Sequence, residues 1–415
     1  MRSNYKKLGQ FIKEVSVKNK DLSVELLLGV SITKQFIPSI ANTVGTDMSK
    51  YKVVEHHQFA YGPVTSRNGE KISVALLSEE KCIVSTSYTV FEIVDTELLA
   101  PEYLMMWFRR SEFDRYARYM SHGTVRELFG WQEMCDVELP VPSIEKQREI
   151  VREYNVVNDR IALNEQLTQK LEDTAQAIYK QWFVDFEFPI SKEYAESIGK
   201  PELEGKPYKS SGGEMEYCDS LGADVPKGFS YQDLASIVDS QYGYTTSASF
   251  TEKNAKFLRI TDISGDYIDW ANVPYCDVND STIKKYQLKE GDVVVARTGA
   301  TVGYAKRINK SSPLALFASY LVRLTPKDIQ YQTLIGLSIL SKDFLEYIQM
   351  VAGGTGQPQA SATLMTEFKL LVPPPTVAAL LDSKIKPMWD YSEKIEAEIT
   401  LLNQLSFMCL MKLSR

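Results

Sequence analysis

The sequence has few of the residues that usually bind metals or form disulfides. Its 415 residues include three histidines and five scattered cysteines, and no two cysteines have CxxC spacing. An odd number of unpaired cysteines is typical of reduced, mostly buried thiols in a cytoplasmic protein. The one histidine pair, His56-His57, is expected on a strand, where adjacent side chains face opposite ways. We therefore predict no metal site.

Motifs for nucleotide binding, zinc catalysis and membrane insertion are also missing. The chain has no GxGxxG, no GxxxxGK[ST] and no HExxH sequence. It has no apolar run of about 18 residues, so we expect no membrane span. The residues Met1–Lys7 are not followed by an apolar core and do not resemble a signal peptide. We expect a globular cytoplasmic protein of two or more domains.

The net charge of −7 is unevenly distributed. Residues 1–140 contain 17 Lys and Arg against 18 Asp and Glu, and residues 226–375 contain 15 against 14. The remaining residues contain 15 against 22, so the whole deficit lies there. Because nucleic-acid binding depends on local patches, the acidic total does not exclude it.

An internal repeat gives the chain its plan. Five features recur in the same order at an offset of 231–234 residues: a predicted apolar strand that contains a Ser-Tyr step, a helical stretch, a Gly-Thr loop, a strand ending in proline, and a long helix. The helical stretches are Tyr103 to Tyr119 and Leu334 to Val351. Repetition of this kind predicts two similar modules that bind something twice.

Two long helices show coiled-coil spacing, with apolar positions at alternating steps of four and three. Each runs close to 40 residues, or about 60 Å at about 1.5 Å per residue, which exceeds a module of this size. We therefore expect the helices to pair with each other, although packing on their own modules is the alternative. The residues predicted to pair are Val157, Ile161, Leu171, Ile178, Ile385, Ile395, Ile399 and Leu402. Asn164 in the seam is a candidate for fixing register.

The predicted fold class is mixed α/β of the α+β type. It has two modules of short strands and helices joined by two long antiparallel coiled-coil helices, with an internal pseudo-two-fold repeat. The expected divisions are module 1 (1–142), a spacer helix (143–188), a linker rich in Gly, Pro and Ser (189–225), module 2 (226–375) and a second spacer helix (376–415).

Two local patterns leave alternatives open. Arg109, Arg110, Arg115 and Arg118 lie among aromatic residues, which suits phosphate contact but is more typical of an amphipathic surface helix. The loop 297–303, with two glycines, could hold a phosphate through backbone N–H groups, but it also suits a plain turn. We favour the structural interpretation for both.

Three features stand out in and beside the long helices: the stretch Glu165 to Glu187, the pair of segments 207–213 and 225–229, and Pro373-Pro374-Pro375. Together they resemble the specificity subunit of type I restriction–modification enzymes. The first is similar to the central conserved region of that family, the second to the lead into its second target-recognition domain, and the third to its exit. The N-terminus differs, because it begins near Leu8-Gly9 without a Pro-Lys-Gly-Trp lead.

The resemblance implies a non-catalytic DNA reader. Each module would read one half of a bipartite, asymmetric site in double-stranded DNA, and the paired helices would set the gap. Two methyltransferase subunits would dock and supply adenine methylation with S-adenosylmethionine. Restriction subunits with motor and nuclease activity would use ATP and Mg²⁺, so no cofactor is expected in this chain.

Polar residues in the matched loops are the predicted DNA contacts, because Arg and Gln can pair with base edges. They are Arg67, Asn68, Ser87, Tyr88, Thr124, Arg126, Arg297, Thr298, Thr301, Tyr320, Thr355, Gln357 and Gln359.

Two rival functions are weighed against this one. A self-contained DNA methyltransferase or nuclease would need an Asn/Asp-Pro-Pro-aromatic motif or a carboxylate triad, and neither is found. A duplicated scaffold for protein partners that does not read DNA is the main alternative.

Overall fold

The computed structural model describes residues 5–39, 45–66, 71–123, 127–353 and 356–413. The chain forms two compact units. Unit 1 contains Met1–Ile161 and Leu401–Arg415, and unit 2 contains Ala162–Thr400. Both long helices are divided between the units, so each unit is built from one module and parts of two helices. None of the helices in these ranges is long and apolar enough to cross a membrane.

Unit 1 is built mainly of short strands followed by three helices. The strands are β1 (Tyr5–Lys7), β2 (Ile12–Val15), β3 (Leu28–Val30), β4 (Phe36–Pro38), β5 (Lys52–Glu55), β6 (Phe59–Tyr61), β7 (Val74–Leu76), β8 (Lys81–Val84), β9 (Thr89–Ile93) and β10 (Glu138–Pro140). The helices are α1 (Pro101–Phe108), α2 (Ser111–Met120) and α3 (Trp131–Cys135), and the long helix α4 (Ile144–Phe183) begins after β10.

Unit 2 repeats this plan after a helix and a hairpin. It contains α5 (Lys192–Ser197), β11 (Met215–Cys218), β12 (Ala223–Pro226), β13 (Ser230–Asp233), β14 (Val238–Tyr242), β15 (Ala255–Leu258), β16 (Tyr275–Cys276), α6 (Asp280–Tyr286), β17 (Val293–Ala296), β18 (Ala305–Arg307), β19 (Ala315–Phe317), β20 (Leu321–Pro326), α7 (Gln332–Ile339), α8 (Lys342–Val351), α9 (Ala362–Thr366) and β21 (Lys369–Val372). The long helix α10 (Pro375–Lys412) follows, with Pro375 at its first position, where a missing N–H costs nothing.

The two units share one sheet topology. The four-stranded sheet has the order β2-β9-β6-β7 in unit 1 and β14-β20-β17-β18 in unit 2. The first strand of each module pairs antiparallel with the last, as β1 with β10 and β13 with β21. A parallel link also recurs, as a bridge between Leu27 and Ile83 and as β15 with β19. The internal repeat read from the sequence is therefore present in the fold.

Five of the eight residues predicted to pair are buried, namely Val157, Ile161, Ile385, Ile395 and Ile399, and the other three, Leu171, Ile178 and Leu402, are half-buried. In unit 1, Tyr154 of α4 and Cys409, Leu410 and Leu413 of α10 belong to one hydrophobic core. In unit 2, Ala175 and Trp182 of α4 share a core with Leu381, Ile385 and Trp389 of α10.

The two hydrophobic cores show which part of α4 lies with which part of α10. The first half of α4 accompanies the end of α10 in unit 1, and the second half of α4 accompanies the start of α10 in unit 2. This is the order of antiparallel helices. Asn164 is buried at 2 % exposure, and its Nδ2 has no hydrogen-bond partner among the described residues.

Two details differ from the sequence interpretation. The Ser-Tyr steps are not inside strands, because Ser85–Tyr88 form a turn between β8 and β9, and Ser319-Tyr320 form a turn before β20. Each predicted helical stretch is two helices, α1 with α2 and α7 with α8. Both differences occur identically in the two units, so they belong to the repeated plan.

The segment predicted as a linker is folded. Residues 189–225 contain α5 and the β11–β12 hairpin, and Ile190, Ala195 and Tyr208 are buried in the core of unit 2. The Phe188 and Tyr208 rings stack with centroids 4.5 Å apart. A few well-placed aromatic residues therefore anchor a segment whose composition is otherwise typical of a loop.

Candidate nucleic-acid interface

Three loops of unit 2 meet at the end of β17. The backbone N–H of Arg297 donates to Tyr320 O at 3.0 Å, which joins the loop after β17 to the turn before β20. Ala360 N donates to Arg297 O at 2.9 Å, and Gly299 N donates to Pro358 O at 2.9 Å. The residues predicted from three separate segments are thereby gathered on one small surface, which we call the loop cluster (297–301, 318–320 and 356–360).

Unit 1 has a corresponding loop cluster (63–65, 85–88 and 127–129), in which two of the three loops are joined by equivalent backbone hydrogen bonds. Phe129 N donates to Pro63 O at 2.8 Å, and Thr65 N donates to Glu127 O at 3.0 Å. An antiparallel bridge joins the residues on either side of the Gly-Thr segment in both units, between His122 and Leu128 in unit 1 and between Gly353 and Gln359 in unit 2. Pro63 replaces Arg297 and has no N–H to donate.

The carbonyl of the Ser-Tyr turn in unit 1 has a different donor. Tyr88 O accepts from Lys52 Nζ at 2.8 Å, where Tyr320 O accepts from the Arg297 N–H. The two units therefore share the positions of these loops, but the side chains of the loops differ.

In the first unit, the structure places Ser87 and Tyr88 in the turn between β8 and β9. Ser87 is exposed, whereas Tyr88 is half-buried and its hydroxyl accepts from Val30 N at 3.3 Å. That hydroxyl is already engaged within the unit. Five other predicted contacts lie outside the described residues: Arg67, Asn68, Thr124 and Arg126 in unit 1, and Thr355 in unit 2.

In unit 2 the predicted side chains differ in accessibility. Tyr320 is 58 % exposed, and Gln357 and Gln359 are also exposed. Thr301 is half-buried at the end of a 3-10 turn, and Thr298 is only 7 % exposed. Thr298 therefore suits a structural role, because its backbone bridges to Gln359 while its side chain is buried. The accessible polar groups are an aromatic hydroxyl and two amides.

Arg297 supplies the positive charge of this surface. Its Cζ lies 4.7 Å from the centroid of the Tyr242 ring, a distance at which a guanidinium is attracted by the aromatic face. Its Nε is buried and has no hydrogen-bond partner among the described residues, and none of their carboxylates forms an ion pair with it. An arginine held in this way is available to an acceptor from outside the chain.

Sequence reasoning missed Tyr242 and Gly243 at the end of β14. A Cβ on Gly243 would lie 2.1 Å from Ala318 O, so only glycine lets this strand approach the Ser-Tyr turn so closely. The glycine within strand-like sequence, Gln241-Tyr242-Gly243-Tyr244, is the signal that could have found it.

The four arginines of α1, α2 and the turn between them contact residues of their own unit. Arg110 is 5 % exposed, and its Cζ lies 4.3 Å from the Trp107 ring centroid. Arg109 Nη1 donates to the hydroxyl of Tyr154 on α4 at 3.3 Å. Arg115 and Arg118 are exposed on α2 and form ion pairs with Glu112 and Glu127.

The histidine pair differs from its expected geometry. His56 and His57 lie in a turn after β5, and His57 has φ of 63°, a left-handed conformation. The two rings therefore stack with centroids 3.9 Å apart instead of facing opposite ways. Within the described ranges, no group of three or more His, Cys, Asp or Glu could hold a metal ion.

A second polar site lies in unit 2 along the paired helices. A cavity of about 600 Å³ is lined by Glu172 of α4, Glu396 of α10 and the cationic Lys306 and Arg307 of β18. Burial raises the pKa of Glu396 to about 7 and also raises the pKa of Glu172. Burial lowers the pKa of Lys306 and of Arg307. The charges are thus partly desolvated, and Glu396 Oε2 accepts from Asn309 Nδ2 at 3.1 Å.

Part of the chain matches a known family model, and most of it is similar to known proteins. Residues 226–404 match the family model described as the type I restriction modification DNA specificity domain. The chain is 23 % identical over 338 residues to the MjaIX specificity subunit of Methanocaldococcus jannaschii, covering 80 % of this chain and 72 % of that protein. It is 21 % identical over 381 residues to the HindI specificity subunit of Haemophilus influenzae, covering 82 % of each.

A solved structure shares the fold. The type I restriction–modification S subunit from M. genitalium superposes with a TM-score of 0.52 at 12 % identity. The match covers 99 % of this chain and 95 % of that one. At this identity the likeness concerns the fold, namely mixed helix-and-strand modules with long helices.

Proposed function

The chain belongs to the family of type I restriction–modification specificity subunits, and we propose from this premise that it is the non-catalytic DNA-recognition subunit of such a complex. In this proposal, unit 1 and unit 2 each read one half of a bipartite, asymmetric site in duplex DNA. The loop clusters provide the reading side chains.

One observation carries the proposal: two loops are joined by equivalent backbone hydrogen bonds in both units, whereas the bond to the Ser-Tyr turn and the side chains around it differ between the copies. Two identical readers would favour a symmetric site. Pro63 in one copy and Arg297 in the other give the two clusters different donors, which favours two different half-sites.

The long helices support a spacing role. Helix α4 is continuous over 40 residues, which corresponds to about 60 Å at 1.5 Å per residue. One turn of DNA is about 34–36 Å, so rigid elements of this length can set the gap between two half-sites. We propose that the paired helices fix this gap.

The chemistry is assigned to partner subunits. We propose that two methyltransferase subunits dock on this chain and methylate adenine with S-adenosylmethionine, and that restriction subunits add ATP- and Mg²⁺-dependent cleavage. The specificity chain itself then contributes binding and orientation only.

The test is adenine methylation in a host that lacks this system. Expression of the full chain with the methyltransferase subunit of its own system should produce methylation at one bipartite motif, detected by long-read sequencing. The methyltransferase subunit alone should give no such motif. If the full chain binds the methyltransferase but no motif appears, the alternative of a protein-interaction scaffold is favoured instead.

A further inference from the structure

We infer that Tyr242 positions Arg297 to read a guanine in the half-site of unit 2, an inference that rests on the proposed function. Tyr242 is not among the residues that the sequence pattern selected. The inference names both the positioning residue and the base.

The Tyr242 ring is fixed at both ends. Its backbone lies at the end of β14, where Tyr242 pairs with Val322 of β20. Its hydroxyl accepts from Ala362 N, the first residue of α9, at 3.0 Å. Because both the backbone and the hydroxyl are held, the ring cannot turn away without loss of a hydrogen bond.

Arg297 depends on this ring. Its backbone N and O are both hydrogen bonded within the loop cluster, to Tyr320 O and Ala360 N. Its side chain has no hydrogen bond or ion pair among the described residues, so the Tyr242 face at 4.7 Å is the contact that orients the guanidinium. An arginine oriented before binding loses less rotamer freedom when it meets its target.

The hydrogen-bonding groups of the Arg297 guanidinium select guanine among the bases. A guanidinium presents donors only. In the major groove guanine offers two acceptors, N7 and O6, whereas adenine offers one acceptor beside a donor. A bidentate contact from Arg297 therefore needs guanine, and removal of the N7 acceptor should abolish one of its two hydrogen bonds. A phosphate contact would not depend on the base at all.

The experiment uses duplexes in which single guanines are replaced by 7-deazaguanine, which lacks the N7 acceptor. The full chain, in complex with its methyltransferase subunits, is titrated by fluorescence anisotropy against the motif found by methylation mapping. For the wild-type chain, one guanine in the unit 2 half-site should show weaker binding on replacement, by about tenfold. Arg297→Ala should remove this sensitivity.

The variants separate positioning from a purely structural role. Tyr242→Phe keeps the ring and its place on β14 but loses the hydrogen bond from Ala362 N, so it should keep most of the sensitivity to 7-deazaguanine. Tyr242→Leu removes the ring and should reduce that sensitivity at the one guanine while leaving every other base preference in place. The matched control is Tyr217→Leu, a tyrosine on the β11–β12 hairpin that is 64 % exposed, which should change nothing.

The outcomes distinguish this inference from the proposed function. If the wild-type complex has a bipartite motif but no guanine in the unit 2 half-site is sensitive to 7-deazaguanine, the inference is overturned and the function stands. The same holds if Arg297→Ala keeps the sensitivity, a result that does not require any Tyr242 variant to fold. An equal loss at all bases in Tyr242→Leu would make the tyrosine structural. Absence of any motif overturns the function itself.

Discussion

At the scale of single residues, the predicted DNA-contacting side chains of unit 2 differ in how deeply they are buried. Gln357 and Gln359 are exposed and Arg297 is half-buried, whereas Thr298 is buried. Replacement of these three residues together by alanine should degrade the unit 2 half-site and leave the other half-site unchanged. Each paired contact to a base is worth about 1–3 kcal/mol of discrimination.

Methylation mapping measures this change directly. Gln330→Ala, in an exposed turn of the same unit, is the control and should keep the wild-type motif. If the triple variant methylates the unchanged motif with unchanged affinity, the placement of the reader on the loop cluster is wrong.

The pKa of Glu396 gives a second test at this scale. Its pKa is raised by burial to about 7 in the folded chain, from 4.5 for an ordinary glutamate, while Arg307 and Lys306 oppose the rise and Glu393 and Glu172 add to it. The folded state therefore holds a proton that the unfolded state releases, and stability falls as pH rises from about 4.5 to about 7.

Glu396→Gln should remove part of this dependence. We expect the variant to gain about 1–3 kcal/mol relative to the wild type on going from pH 5 to pH 8, measured by urea unfolding. Glu346→Gln, an exposed glutamate of α8, should show no such gain. A parallel pH dependence in the Glu396 variant and the wild type would contradict the assignment.

The make-up of the loop cluster could be predicted from the sequence only in part, for a physical reason. Matched positions in the repeat selected Arg297, Tyr320 and the two glutamines, which the fold brings together, because loop order survives duplication. Burial depends on neighbours distant in sequence, so nothing in the sequence indicated that Thr298 is covered or that the Tyr88 hydroxyl is used by Val30. Tyr242 was missed because its role comes from the fold around Arg297.

At the scale of secondary-structure elements, the helix seams are the best-predicted feature. Spacing by three and four residues depends only on helix geometry, and Ile385, Ile395 and Ile399 are at most 3 % exposed. The folded segment 189–225 was not predicted, since its few anchoring aromatic residues are separated by Gly, Pro and Ser. Local composition describes its turns correctly but does not reveal that Phe188 and Tyr208 stack.

Charge in a seam should be costly. Ile395→Asp would place an unpaired carboxylate at a position that is 3 % exposed, and we expect a loss of about 3 kcal/mol or more in the free energy of unfolding. Leu401→Asp on the same helix is the matched control, because Leu401 is 66 % exposed and should tolerate the change. Urea unfolding of both variants compares them.

The same comparison applies to α4. Ile161→Asp, at 9 % exposure, should destabilise the chain, and Leu163→Asp, at 55 %, should not. Equal stability of the two variants in either pair would show that the heptad positions do not form the seam.

At the scale of the whole molecule, the repeat predicts independent readers. Exchange of residues 1–140 for the first module of another family member should change one half-site and preserve the other. The reason is that each loop cluster is closed by hydrogen bonds within its own unit. Long-read methylation mapping decides the outcome, and a change in both half-sites would count against independence.

The length of the helices should control the gap of the site. Insertion of four residues after Leu167 adds about 6 Å and turns the following residues by about 40°, so it disturbs the seam as well as the length. We expect the gap to grow by about two base pairs, at about 3.4 Å each, or binding to be lost. The half-site sequences should not change, because the loop clusters are untouched.

Insertions of equal length in both long helices test the effect of helix length while the apolar seam is preserved. Seven residues, one heptad, added after Leu167 and after Ala397 keep the seam within about 20° of its original phase. Ala397 is the position opposite Leu167 when one counts back along antiparallel helices from the Asn158–Ser406 contact of 3.3 Å. This variant should retain its half-sites, bind, and methylate a motif whose gap is longer by about three base pairs. A paired variant that methylates the original gap at full affinity would show that some other element sets the spacing, since the helices would then differ in length by about 10 Å without effect.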